Sequence, residues 1–158
     1  AAMEAIIAGI PAVAVSLEVP EDHVGMVDFA PAAKAARQVV EHVLAKELPE
    51  ETFLNVNLPF LPSEQLRGFR LTRLGLRVYH SRLDERVDPR GRPYYWIGGE
   101  APTGVPERGT DIGALADRYV SITPLHLDLT AYRALTDLNT WDWSEKAIKA
   151  TSAKKEEK

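Results

Sequence analysis

The polar groups best placed to do chemistry are Asn55 and Asn57, in Leu54-Asn55-Val56-Asn57-Leu58-Pro59, and the turn Gly109-Thr110-Asp111. Carboxamides at the end of a parallel strand face the crevice in which α/β sheets take ligands. The same side chains also suit hydrogen bonds that tie the following loop to Pro59, the commoner use of asparagine at a turn. Gly109-Thr110-Asp111 has the residues to offer substrate backbone N–H groups and an acceptor, and it has those of an ordinary helix cap. Thr110 and Asp111 are therefore candidate substrate-binding residues, and neither pair hydrolyses a bond unaided.

No residue emerges as a catalytic group or a metal ligand. His23, His42, His80 and His126 each stand alone in the chain. Asp128 follows His126 closely enough to orient its imidazole, as a carboxylate does behind a catalytic base, but no nucleophile adjoins the pair. Metal-assisted hydrolysis needs carboxylates or imidazoles converging on one point, and neither an Asp pair at a strand end nor a two-His helix face is present. G-x-G-x-x-G, Walker and G-x-S-x-G patterns are missing too, so neither a phosphate cradle nor a nucleophile elbow is written locally.

The elements that must position these groups begin with an apolar helix end over 1–10, stopped by Gly9 and Pro11. It lacks an N-cap and reads as the back half of a helix, which suggests a longer parent chain. Pro11 to Leu17 is almost wholly apolar, the pattern of a parallel strand covered on both faces and paired on both sides. After a polar loop, Pro31 opens a long helix whose stripe is Ala32, Ala36, Val39, Val40, Val43, Leu44 and Leu48, ended by Pro49. Phe53 to Pro59 is the next strand, which completes a βαβ unit.

Beyond Pro62 the pattern changes. Phe69 to Tyr79 reads as one strand broken at Gly75, with one wet side. Asp88-Pro89-Arg90-Gly91 is a turn, and Arg92 to Ile97 is the returning strand of a hairpin. Its adjacent Tyr94, Tyr95 and Trp96 cannot all point inward, so some aromatic area faces a second surface, and these three are candidate oligomer-interface residues. The mixed charges Asp84, Glu85, Arg86, Asp88, Arg90 and Arg92 form either a solvated tip or weak inter-subunit ion pairs. A short helix capped by Thr110 or Asp111, a strand over Tyr119 to Leu125 and a helix over Leu127 to Leu138 follow. The expected organisation is one α/β domain over 1–143, with a hairpin arm at about 80–98 and a charged, mobile tail over 144–158.

The 158 residues carry 19 Lys+Arg against 23 Asp+Glu, a formal charge of −4, which gives no electrostatic reason to expect nucleic acid or an anionic membrane as partner. Apolar runs stop well short of the roughly 20 residues that span a bilayer. The absence of cysteine removes thiolate metal sites and a cysteine nucleophile and suits a reducing compartment, so the cytoplasm is the expected location.

Ala1-Ala2-Met3-Glu4-Ala5, Leu54 to Pro59, Asp88 to Trp96, Gly109-Thr110-Asp111 and Tyr119 to Leu125 occur in this order, and together they resemble the survival protein E (SurE) family of metal-dependent 5′/3′-nucleotidases. The resemblance runs from Ala1 to about Leu138. It implies a Rossmann-like α/β core, here its C-terminal part truncated at the N-terminus, with a protruding hairpin arm used in homodimer or homotetramer assembly. It also implies hydrolysis of nucleoside monophosphates with Mg or Mn. The family holds its divalent metal with an Asp-Asp pair, a Ser and an Asn upstream of the part matched here, so the resemblance places the ligands outside this chain. One departure is Tyr132, where some members carry His after the Asp matched by Asp128. Metal-assisted phosphate hydrolysis lowers barriers by well over ~10 kcal/mol, which Asn and Thr cannot replace. The parent is thus expected to be a nucleotidase and these residues alone inactive. The alternative is an assembly module that uses the hairpin arm without catalysis.

Overall fold

In the computed structural model, residues 1–78, 81–99 and 103–145 are described. They fall in two compact units, Ala1–His126 and Leu127–Lys158. The first holds α1 (Ala2–Ile7), β1 (Val13–Glu18), α2 (Ala30–Lys46), β2 (Phe53–Pro59), a 3₁₀ turn at Ser63–Gln65, β3 (Phe69–Leu71), β4 (Arg77–Val78), β5 (Ser81–Val87), β6 (Pro93–Gly99), β7 (Thr103–Gly104), α3 (Asp111–Ala116) and β8 (Val120–Leu125). The second contributes α4 (Tyr132–Leu138).

The βαβ unit forms as the sequence pattern requires. β1 and β2 pair in parallel, Val13 opposite Leu54 through Glu18 opposite Pro59, with α2 as the crossover. Asp28 Oδ1 accepts the Ala30 N–H at 2.9 Å and starts α2, with proline in its first turn. Ala32, Ala35 and Val39 of α2 are buried against Leu54, Val56, Leu58 and Val120, with Val13, Leu17, Val43, Leu48 and Ile122 around them. The buried side of α2 is rotated from the expected stripe: Ala35 is buried, whereas Leu44 is 77% exposed. Small alanines let the helix lie close to the sheet, so its packing phase follows the flat face and not the largest side chains.

The sheet order is β1-β2-β8-β3, with β8 antiparallel to β2 and parallel to β3. Among the described residues β1 is paired on one side only, not on both as the apolar pattern predicts. The strand expected over Phe69 to Tyr79 is two strands in different sheets, β3 with β8 and β4 with β7. The reason lies between them: Arg73 bridges Thr110, and a Cβ at Gly75 would stand 3.0 Å from the Asp111 carboxylate and 3.2 Å from Thr110. The chain must leave the sheet there to pass the start of α3.

β5 and β6 form the expected hairpin, from Ser81 opposite Gly99 to Val87 opposite Pro93. Asp88 Oδ1 accepts the N–H groups of Arg90 and Arg92, both at 2.8 Å, and Gly91 takes the left-handed φ of +78° that closes the turn. In the second unit the helix begins at Tyr132, later than expected. Asp128 accepts the Thr130 N–H at 2.8 Å and the Tyr132 hydroxyl, and these bonds hold an extended turn ahead of α4. Trp141 and Trp143 stack at 5.6 Å. Most of the 144–158 tail, along with Tyr79 and His80, lies outside the described residues.

Candidate functional site

Strand side chains alternate between faces, so residues directly opposite one another share a face. Ser16 stands opposite Asn57, Asn57 opposite Ser121, and Ser121 opposite Arg70. One polar row therefore crosses all four strands on the face turned away from Val56 and Val120. Asn55 opposite Thr123 lies beside it. Thr72, just past β3, bonds its hydroxyl to Ser121 Oγ at 2.9 Å and to Thr123 Oγ1 at 2.7 Å. Ser121 and Thr123 are fully buried, whereas Asn55 and Asn57 are half-buried, with carboxamides that make no hydrogen bond among the described residues. Among the described residues neither asparagine makes the loop-tying bond open to it.

The row ends near the carboxyl end of β1, where Glu18 follows Ser16 on the same face. Burial pushes the Glu18 carboxyl above its ordinary range, and the Arg77 guanidinium pulls it part of the way back. A cleft of about 470 Å³ opens at the same end of the strands, lined by Leu17, Asp28, Lys34, Phe60 and Ser63 among others. His23 sets its ring edge-on to Phe60 at 4.8 Å, and its buried Nε2 has no hydrogen-bond partner among the described residues.

Thr110 and Asp111 sit where α3 starts. Thr110 is wholly buried; its Oγ1 accepts the Gly113 N–H at 3.0 Å and donates to the Glu107 carbonyl at 2.6 Å. Asp111 Oδ1 accepts from Gly75 N at 2.7 Å and Ile112 N at 2.9 Å. Both residues cap the helix and fasten the Arg73–Gly75 segment to it. Of the side-chain oxygens of Thr110 and Asp111, only Asp111 Oδ2 has no hydrogen-bond partner among the described residues.

Tyr94, Tyr95 and Trp96 are 42%, 57% and 59% exposed along β6, opposite Arg86, Glu85 and Asp84. His126 closes the first unit and Asp128 belongs to the second, where Thr130 and Tyr132 occupy its carboxylate.

The sequence reading passed over Thr72, Ser121 and Thr123. The signal was there: Ser121 and Thr123 repeat the every-second-residue spacing of Asn55 and Asn57 in a strand otherwise apolar. The arrangement is a neutral hydrogen-bonding surface. Among the described residues no imidazole or carboxylate is bonded to its hydroxyls, so none of these activates one as a nucleophile. Among the described residues no three His, Asp or Glu side chains group to hold a metal ion. Among the described residues the one buried carboxylate, Asp111, gives Oδ1 to two backbone N–H groups and leaves a single free oxygen, so the donors present do not fit a divalent cation by themselves.

The model of the survival protein SurE family matches residues 1–81, half of the chain. The chain belongs to the SurE family. It is 48% identical over 143 residues to the 5′-nucleotidase SurE of Chloroflexus aggregans, covering 90% of this chain and 56% of the relative. Against the 5′-nucleotidase SurE of Geobacter sulfurreducens it is 48% identical over 144 residues, covering 91% and 54%. The crystal structure of the SurE protein from Aquifex aeolicus superposes with a TM-score of 0.67 at 42% identity, covering 87% of this chain and 54% of that one. The Rossmann-like α/β fold expected from the resemblance is the fold present. The chain spans about half the length of the curated relatives it matches.

Proposed function

We propose that these residues form the part of a SurE-type nucleotidase that supports and lines the site, while a divalent metal, Mg or Mn, and its ligands belong to residues outside the chain. The observation that carries this is a contrast. The identity to 5′-nucleotidases extends over nine-tenths of the chain, yet among the described residues the buried polar side chains are three hydroxyls and the single carboxylate of Asp111, without a metal-binding set. The reaction is phosphomonoester hydrolysis of nucleoside monophosphates. At the α3 turn, substrate contact falls to Asp111 Oδ2, with Thr110 holding it in place.

The test is reconstitution. Mixed with the part of the Aquifex aeolicus SurE protein that it does not cover, the purified chain should restore AMP hydrolysis that needs Mn²⁺ or Mg²⁺ and stops with EDTA. A complex that forms without hydrolysis would refute the reading.

A second reading rests on the hairpin. Its exposed Tyr94, Tyr95 and Trp96 suit burial in another copy of the chain, which makes β5 and β6 an assembly arm independent of catalysis.

A further inference from the structure

The segments that lead into β3 and β8 bring three arginines onto one short stretch of backbone. The Arg67 N–H donates to the Arg118 carbonyl at 2.9 Å, and the Val120 N–H donates to the Gly68 carbonyl at 2.9 Å. The Arg70 guanidinium lies 3.6 Å over the Tyr119 ring, and that of Arg67 lies 5.0 Å from the same ring. Asp117 is ion-paired with Arg70 at 2.6 Å. Arg67 and Arg118 have no ion pair among the described residues. One carboxylate, that of Asp117, is thus paired with Arg70, while Arg67 shares the Tyr119 ring with Arg70 and Arg118 joins the same stretch through its backbone.

Arg118 also occupies a costly place. It follows the end of α3, donating to the Leu115 carbonyl at 2.9 Å while Tyr119 donates to Ala114 at 2.8 Å, and it takes a φ of +67°. Glycine fills such a left-handed cap without steric penalty, and arginine does not. An arginine thus stands at a strained backbone position next to Tyr119, the ring that Arg67 and Arg70 share.

The location adds to this. β8 runs antiparallel to β2, so the start of β8 lies at the carboxyl ends of β1 and β2, the end at which α/β sheets take ligands. Arg70 is also the last member of the row Ser16, Asn57, Ser121, Arg70.

We propose that Arg67 and Arg70, which share the Tyr119 ring, together with Arg118, its neighbour in the chain, form a binding site for a phosphoryl anion. The planar guanidinium fork matches two phosphate oxygens at once, and stacking on Tyr119 orders it before the ligand arrives. The anion is either an inorganic phosphate species or the phosphate chain of a nucleotide. The site is separate from any hydrolytic step and does not depend on the chain being active.

The test is an amide-resolved NMR titration of the 158-residue chain with pyrophosphate and, separately, with ADP. Saturable shifts should centre on residues 67–70 and 117–120. R67A and R118G should each weaken pyrophosphate by about fivefold or more. R118G relieves the strained cap, so its melting temperature should rise, and its loss of binding cannot be ascribed to unfolding. R37A, which removes an exposed arginine of α2, should change nothing. Equal affinity for the two probes identifies the phosphates as the group read, and tighter ADP binding identifies a nucleotide. Shifts that do not saturate at these residues, or pyrophosphate affinity unchanged in both R67A and R118G, would overturn the proposal.

Discussion

Thr110→Val keeps the shape of a fully buried side chain and deletes its hydroxyl. The Glu107 carbonyl still receives the Thr110 N–H at 3.1 Å, so it keeps a partner. The Gly113 N–H does not: its bond to Thr110 Oγ1 at 3.0 Å is lost, and Gly113 is buried. Loss of a helix N-cap costs about 1 kcal/mol, and a buried orphan donor about 1–3 kcal/mol. These describe the same missing bond and do not add, so the expected loss is about 2 kcal/mol, roughly 4–8 °C in melting temperature for a chain of this size. Thr110→Ser keeps both hydrogen bonds and removes one methyl, for about 1 kcal/mol. Urea unfolding followed by tryptophan fluorescence gives both values. A Thr110→Val protein as stable as the parent, or more stable than Thr110→Ser, would mean that the hydroxyl is not held in this cap and that the α3 turn is built differently.

Gly113→Ala tests the same turn from the other side. Helix propensity alone favours alanine by about 1 kcal/mol, yet a Cβ at Gly113 would overlap the Glu107 carbonyl oxygen, so the variant should melt lower than the parent by circular dichroism. Glu18→Gln should raise the melting temperature at pH 7. Burial raises the carboxyl pKa in the fold, so the folded state keeps its proton to higher pH than the unfolded chain and loses stability as pH climbs through that interval. The gap between Glu18→Gln and the parent should close below about pH 4, and a gap that widens there would refute the assignment. Trp96→Ala should weaken self-association by about 2 kcal/mol in light scattering at graded concentrations, and a monomer in both proteins would remove the assembly reading.

Where local pattern controls structure, the sequence was legible. Pro31 and Pro49 bracket α2 closely, Phe53 to Pro59 is β2 as read, and Asp88 with Gly91 fixes the hairpin turn through its own side chain and one left-handed φ. What was not legible depends on partners distant in sequence. β8 inserts between β2 and β3, and only this pairing makes Ser121 and Thr123 neighbours of Asn57, Asn55 and Thr72. The break between β3 and β4 comes from Thr110 and Asp111, dozens of residues away, crowding Gly75. The depth of α2 on the sheet is set by close approach at Ala32 and Ala35, which periodicity alone does not rank above Leu44. Thr110 and Asp111 were found because their cap signature is local. The hydroxyl cluster was missed because each of its members looks ordinary until the sheet assembles.

The most direct measurement is phosphate release from AMP by the purified 158-residue chain in the presence of Mn²⁺ or Mg²⁺, with and without EDTA. If the metal ligands belong to residues outside the chain, release should match the buffer blank under every condition. Release at an enzyme-like rate that EDTA abolishes would show that these residues hold the metal themselves and would contradict the assignment of catalysis to a separate part of the protein.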